Sequence, residues 1–258
     1  MSVGSERWRS VQQGHRLPSA ESCPDPLGLY QSFFEPSHQI HAVDGAAPVK
    51  VGQHGPVTQL PDAYWSVFVD GLGRVLDAPT PNSEDLVRYV FFQALVSGGV
   101  PIERFAFEYP HPADGRARVD TVLVDEQGDP CMALEVKYHR VFPSGANLPR
   151  PQLAGMLLHD VARLVRFTPR NAERLLLYVT DHEMAGYLSN PGNGLTWVTG
   201  LARGESVVLH ENDFNALSET FRKAAGDWPG PVRVTVMQAG DGIVGHFVRL
   251  YRVDEPGT

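Results

Sequence analysis

Gly115–Arg140, GRARVDTVLVDEQGDPCMALEVKYHR, is the stretch whose reading decides the fold. Two runs of alternating character flank the polar turn Gly128-Asp129-Pro130, the composition of a β-hairpin. With a period of two, Val119, Thr121 and Leu123 share one face of the first strand, and Asp120, Val122 and Val124 take the other. In the second strand Met132, Leu134 and Val136 share a face, leaving Cys131, Ala133, Glu135 and Lys137 opposite. One Asp, one Glu and one Lys therefore stand among apolar neighbours, with Glu135 and Lys137 pointing the same way. A sheet rarely buries charge without pairing it or using it, so the hairpin is where function is sought.

Working outward, the segment before the hairpin, ERFAFEYPHP, alternates as a third strand that Pro110 and Pro112 should end. Ahead of it Asn82 and Ser83 can cap a helix whose first turn carries Glu84 and Asp85. That helix, LVRYVFFQALV, is apolar nearly all round, which predicts burial, and Gly98-Gly99 stops it. After the hairpin, YHRVFPSGANLPR is a loop, and a helix begins near Pro151 and Gln152 with a stripe of Leu153, Leu157, Val161, Leu164 and Val165. RLLLYVT then reads as a strand buried on both faces, in parallel pairing. The predicted core is helix, three strands, helix, strand: an α/β (α+β) chain with a mixed sheet.

Further along, YWSVFVDGLGRVLD from Tyr64 reads as a strand and turn, and Asp181 caps a short helix, HEMAGYLSN. LTWVT and SVVLH read as short strands, and Phe214, Leu217 and Phe221 mark one amphipathic helix. PVRVTVMQ and IVGHFVRLYRV form a closing hairpin around Ala239-Gly240-Asp241-Gly242. Three regions are expected: an irregular or poorly ordered 1–60, a core over 61–190, and an extension over 191–258 packed on it. His38, His41 and His54 have a spacing a metal can use, though loop histidines are commoner.

Composition bounds the function. The 258 residues, 42% apolar and 20% charged, suit an ordinary soluble globular protein. No apolar run reaches the roughly 20 residues of a membrane span, so no membrane partner is expected. Nor does the N-terminus carry a signal-peptide core, and Cys23 and Cys131 are too few for a disulfide framework; the expected location is the cytoplasm. Net charge is −8, which argues against avid polyanion binding. Lys137–Arg174, however, carries seven Lys or Arg against Asp160 and Glu173, a polarity that can steer a phosphate backbone or simply coat a solvated helix. No P-loop, dinucleotide fingerprint or Cys-rich zinc site is present.

The order of elements, with Asp120 on the second core strand and Glu135-Val136-Lys137 on the third, resembles the PD-(D/E)xK nuclease superfamily, the restriction-endonuclease-like fold. The resemblance covers roughly residues 82–180, and Val119 stands where the named motif has Pro. It implies a Mg²⁺-dependent endonuclease or related phosphodiester hydrolase, with Mn²⁺ able to substitute, acting on nucleic acid and on DNA in the first instance. Asp120, Glu135 and the backbone carbonyl of Val136 are then the expected metal ligands, and Lys137 the residue that orients or deprotonates the attacking water. Hard carboxylate oxygens suit Mg²⁺, and a cation beside them offsets charge growing on the phosphoryl oxygens. Glu84 matches the acid these proteins often carry on the first helix; an i, i+4 ion pair with Arg88 is the alternative. Glu108 is an alternative fourth acid or a strand-end carboxylate. Gln152, His139 and Arg140 are expected substrate-binding residues, or else ordinary helix-start and loop residues. Asp160 and Arg163, one turn apart, read as an ion pair. A homodimer or partner protein fits the need to cut two strands. The alternative from another class is a catalytically silent nucleic-acid-binding or assembly module that keeps the fold.

Overall fold

The computed structural model describes residues 62–79, 82–141, 145 and 147–256, all within the unit His54–Thr258. The expectations for 1–60, including His38, His41 and His54, lie outside the described residues. Helix α1 (Asp62–Asp77) and helix α2 (Glu84–Ser97) come first. Strands β1 (Phe105–His111), β2 (Asp114–Val124) and β3 (Pro130–His139) follow, then α3 (Arg150–Val165) and β4 (Glu173–Asp181). The remainder is α4 (His182–Ser189), α5 (Trp197–Gly200), β5 (Ser206–Leu209), α6 (Glu211–Asn215), α7 (Glu219–Ala225), β6 (Val232–Ile243) and β7 (His246–Asp254).

All seven strands join one mixed sheet in the order β1-β2-β3-β4-β7-β6-β5. Only β3 and β4 pair in parallel, because α3 carries the chain back between them; the other pairs are antiparallel. Alternation along β4 separates two cores. Leu175, Leu177 and Val179 meet Phe68, Leu72, Phe91 and Leu95 of α1 and α2, whereas Leu176 and Tyr178 meet Leu157, Val161 and Leu164 of α3. The result is helix, sheet, helix in three layers. C-terminal strands complete this same sheet, with β7 paired directly to β4.

The helices that flank the site begin as their sequences dictate. Ser83 caps α2, its hydroxyl accepting from Leu86 N–H at 3.2 Å. Pro149 precedes α3 and Pro151 lies in its first turn, where a missing N–H costs nothing. Gly155 lets α3 lie against α7: a Cβ there would stand 2.3 Å from the Phe221 carbonyl oxygen.

Several expectations are corrected. YWSVFVDGLGRVLD is helix α1, not strand and turn: Phe68, Leu72 and Leu76 recur every four residues and are buried, and Gly71 and Gly73 do not break it. Burial of α2 is one-sided, with Tyr89 53% exposed beside an open groove of about 380 Å³ between α1 and α2. Pro110 lies inside β1, an edge strand, where its lack of an N–H is tolerated. LTWVT contributes helix α5 instead of a strand. The Phe214–Phe221 stripe is split into α6 and α7, because Ser218 caps a new helix through Phe221 N–H. In the closing hairpin, β6 continues through Ile243 and the reversal falls at Val244-Gly245.

Candidate functional site

The site begins where β2 and β3 part. Their ladder runs from Val124 and Pro130 to Thr121 and Leu134 and is not continued to Asp120 and Glu135. On its other side β3 stays paired with β4 as far as His139. The edge of β3 that faces the fork would present bare backbone N–H groups, and carboxylates take the place of the missing strand. Asp120 Oδ2 accepts from Val136 N–H at 2.7 Å, and Glu84 Oε2 accepts from Tyr138 N–H at 3.0 Å. Such charge-assisted bonds are about twice as strong as neutral ones. In a strand, N–H and C=O of one residue share an edge, so the Val136 carbonyl also faces the fork; its side chain is fully buried in the opposite core.

Glu135, Lys137 and His139 project together onto α3, as the period-two reading requires. Lys137 Nζ lies 3.2 Å from Asp160 Oδ2 and 3.3 Å from Glu84 Oε1. Arg163 Nη2 lies 2.8 Å from Glu135 Oε1, and its Nη1 lies 3.4 Å from Asp160 Oδ1. Charges alternate along this path: Glu84, Lys137, Asp160, Arg163, Glu135. A second group serves Asp120, where Arg88 Nη1 stands 3.4 Å from Oδ1 and also bonds Glu108 at 2.5 Å, while Nη2 bonds Asp85. Glu108 holds this contact with φ at +50°, a left-handed conformation that costs a non-glycine residue roughly 1–2 kcal/mol.

Electrostatics follow from burial. Glu135 is 3% exposed; burial first, then the neighbouring Asp160 and Asp120, push its carboxyl up to about 9 against the pull of Arg163. Burial likewise raises Asp160, opposed by Lys137 and Arg163. Glu84 is raised by burial and drawn back by Lys137. For Lys137 burial works toward neutrality, but Asp160 and then Glu84 outweigh it and push the amine up to about 12. Arg88 and Arg163 are also held in the charged form, their carboxylate neighbours overcoming burial.

A hard dication such as Mg²⁺ takes oxygen ligands. Asp120, Glu135 and Glu84 bring oxygen donors of the right type to both sides of one strand. Glu135 Oε1 and Asp160 Oδ2 are buried and lie in close ion contacts without forming a hydrogen bond, so each keeps capacity for a further partner. Among the described residues, however, no three His, Cys, Asp or Glu side chains are already gathered around one point. Guanidinium groups stand on both key carboxylates, Arg88 on Asp120 and Arg163 on Glu135. The donor set fits Mg²⁺ in kind, and binding requires these arginines to give way.

The other candidates divide. Glu84 is brought to the site and does not pair with Arg88, which turns to Asp85, Glu108 and Asp120. His139 corrects the expectation of a phosphate contact. Its ring is 4% exposed, Nδ1 sits 3.2 Å from Tyr178 Oη, and burial and then Lys137 lower its pKa to about 3, leaving it neutral. Arg140 lies over the Tyr138 ring, 5.9 Å from the centroid. Gln152 is half-buried in the first turn of α3, about 12 Å along the axis from Asp160, and is not among the residues bonded to Lys137, Glu135 or Asp120. The basic window is largely engaged in contacts within the chain: Lys137 and Arg163 in the cluster, Arg150 on Glu183, Arg166 on the Asp227 carbonyl, Arg170 on Glu255, and Arg174 on the Val165 carbonyl. Arg150, Arg166 and Arg170 stay exposed while making these contacts.

Arg88, Asp160 and Arg163 join the site although each reads locally as a plain helix ion pair. The signal that marks them is position: Asp160 falls three residues after Leu157 and four before Leu164, inside the buried stripe of α3. His111 adds a further hold. Its Nδ1 accepts from Ala113 N–H, so Nε2 carries the proton and donates to the Arg163 carbonyl at 2.9 Å. No helix among the described residues is long and apolar enough to cross a membrane. No family model, curated protein or solved structure matches the chain.

Proposed function

We propose that the chain is a divalent-metal-dependent nuclease of restriction-endonuclease-like fold, hydrolysing phosphodiester bonds in DNA. The observation that carries this reading is the fork itself: Asp120 and Glu135 flank one strand opening, with Lys137 beside them and Glu84 bonded to it. Support also comes from the element order α2, β1–β3, α3, β4, with β3 and β4 parallel. In this reading Asp120, Glu135 and the Val136 carbonyl hold Mg²⁺ or Mn²⁺, with Glu84 close by. When bound, such an ion would supply Lewis acidity and lower the pKa of a water it holds. Asp120 keeps its place through the Val136 N–H, and Lys137, steadied between Glu84 and Asp160, directs its ammonium to the attacking water and the phosphoryl oxygens. Restriction, repair and phage defence all employ such chemistry, and a homodimer or partner protein would bring a second site to the other strand.

A second reading, a catalytically silent module that binds nucleic acid or assembles with a partner, is favoured by one observation: an arginine stands on each of Asp120 and Glu135. The two are separated by incubating the full chain with supercoiled plasmid, linear DNA and RNA in Mg²⁺ or Mn²⁺. Nicking that is lost in Asp120→Ala and Lys137→Ala supports the nuclease. Equal inertness of wild type and both variants on every substrate ends that reading, and binding that persists and weakens steeply with salt selects the module.

A further inference from the structure

Arg163 is held firmly by its backbone and loosely by its head. The main chain is pinned by the Arg163 carbonyl, which accepts from His111 Nε2–H and from Arg166 N–H. The guanidinium rests 2.8 Å from Glu135 Oε1, yet Nη2 and Nε are buried without a hydrogen bond, and the side chain as a whole is 20% exposed. Nη1 already donates to Asp160 Oδ1 at 3.4 Å, a second carboxylate that keeps hold of the guanidinium if it leaves Glu135. Glu135 itself is 3% exposed and pairs with no cation but Arg163 among the described residues, so its ionised form needs a cation at that oxygen.

We propose that Arg163 is a resident counter-ion for Glu135 that a divalent cation must displace, so that this arginine sets the metal affinity of the site. The inference rests on the metal-site reading above and goes beyond it by assigning the control of affinity to a residue outside the ligand set. A guanidinium repels a dication twice as strongly as it repels a proton at the same carboxylate. Removing it therefore favours the metal over the proton as well as over the arginine. The consequence is opposite to that of losing a structural support: the variant without the charge binds metal more tightly.

The test is Mn²⁺ binding to the full chain at one fixed pH, read from the free-ion electron paramagnetic resonance signal, with folding followed by thermal unfolding. Arg163→Gln should bind Mn²⁺ roughly 10- to 100-fold more tightly than wild type. Arg163→Lys, which keeps the charge, should stay close to wild type, and Glu135→Gln should lose the site. In wild type, Mg²⁺ addition should also shift the Arg163 Nε–H resonance, assigned with Arg163→Lys, ahead of the other arginines; this readout holds even if Arg163→Gln fails to fold. Wild type that binds Mn²⁺ while a folded Arg163→Gln binds it equally or more weakly overturns the proposal alone. An Arg163 resonance unmoved at saturating metal does the same. If neither wild type nor folded Arg163→Gln binds Mn²⁺, the proposal and the metal-dependent nuclease fall together.

Discussion

Replacing Lys137 by Met removes one cation from between two carboxylates while keeping most of the side-chain volume. Its amine lies 3.2 Å from Asp160 and 3.3 Å from Glu84, and the side chain is 15% exposed. An amine pushed up from 10.5 to about 12 holds its proton about 2 kcal/mol more tightly than in the unfolded chain. Because the folded value is the higher one, that stabilisation is fully present below about 10.5 and is lost as pH rises through about 12. At neutral pH Lys137→Met forfeits all of it and leaves the Asp160 side chain, 6% exposed, with Arg163 alone. The expected loss is roughly 2–4 kcal/mol. Asp160→Asn should cost far less in the Lys137→Met background than in wild type, giving a coupling of about 1.5–3 kcal/mol. Urea unfolding of the four proteins at neutral pH measures it. Additivity to within about 0.5 kcal/mol would mean that Lys137 and Asp160 do not hold one another, and the ion path across the site would be wrong.

Arg88→Met should destabilise by roughly 1–3 kcal/mol, since it leaves Asp120, Glu108 and Asp85 without their shared cation; Arg88→Lys should recover little of it, because a single ammonium cannot span the fork that Nη1 and Nη2 reach. Gly155→Ala should cost about 1–3 kcal/mol in urea unfolding, because its Cβ would meet the Phe221 carbonyl at 2.3 Å and push α7 off α3. Glu173, at the far end of β4, has its carboxyl raised to about 7 by burial, with Arg252 only partly opposing, and its Oε2 is buried without a hydrogen bond. Its folded pKa lies above the unfolded value near 4.5, so stability falls as pH rises from about 4.5 to 7. Glu173→Gln should match wild type near pH 4 and exceed it by about 1–3 kcal/mol at pH 8, measured by urea unfolding across that range.

Why the core was legible is plain from particular residues. Alternation in Val119–Val124 and Cys131–Lys137 placed Glu135 and Lys137 on one face, and the unbroken apolar run Leu175–Val179 marked a central strand. Helix α1 was illegible as a helix because Gly71 and Gly73 and a Val-rich composition imitate a strand and turn; packing of Phe68 and Leu72 under the sheet overrides that local preference. In the sequence Asp160 and Arg163 read as a neighbouring pair, and their 3.4 Å contact exists. Their partners on β3 were not legible, since nothing in an i, i+3 spacing says which strand residues a helix will face. The same holds for Arg88, whose nearest acids in sequence are Glu84 and Asp85 but whose long reach goes to Asp120 and Glu108. His139 misled because it follows a charged motif beside a loop, while the parallel ladder with β4 carries it under Tyr178.

The proposed nuclease requires Asp120 and Glu135 to serve one divalent cation at the fork between β2 and β3. Anomalous diffraction from crystals of the full chain grown with Mn²⁺ tests it most directly. A manganese peak bonded to a carboxylate oxygen of Asp120 and of Glu135 is expected, with the Lys137 amine beside it and the Arg163 guanidinium withdrawn from Glu135. Saturating Mn²⁺ with no peak at the fork, and both arginines still seated on their carboxylates, would contradict it.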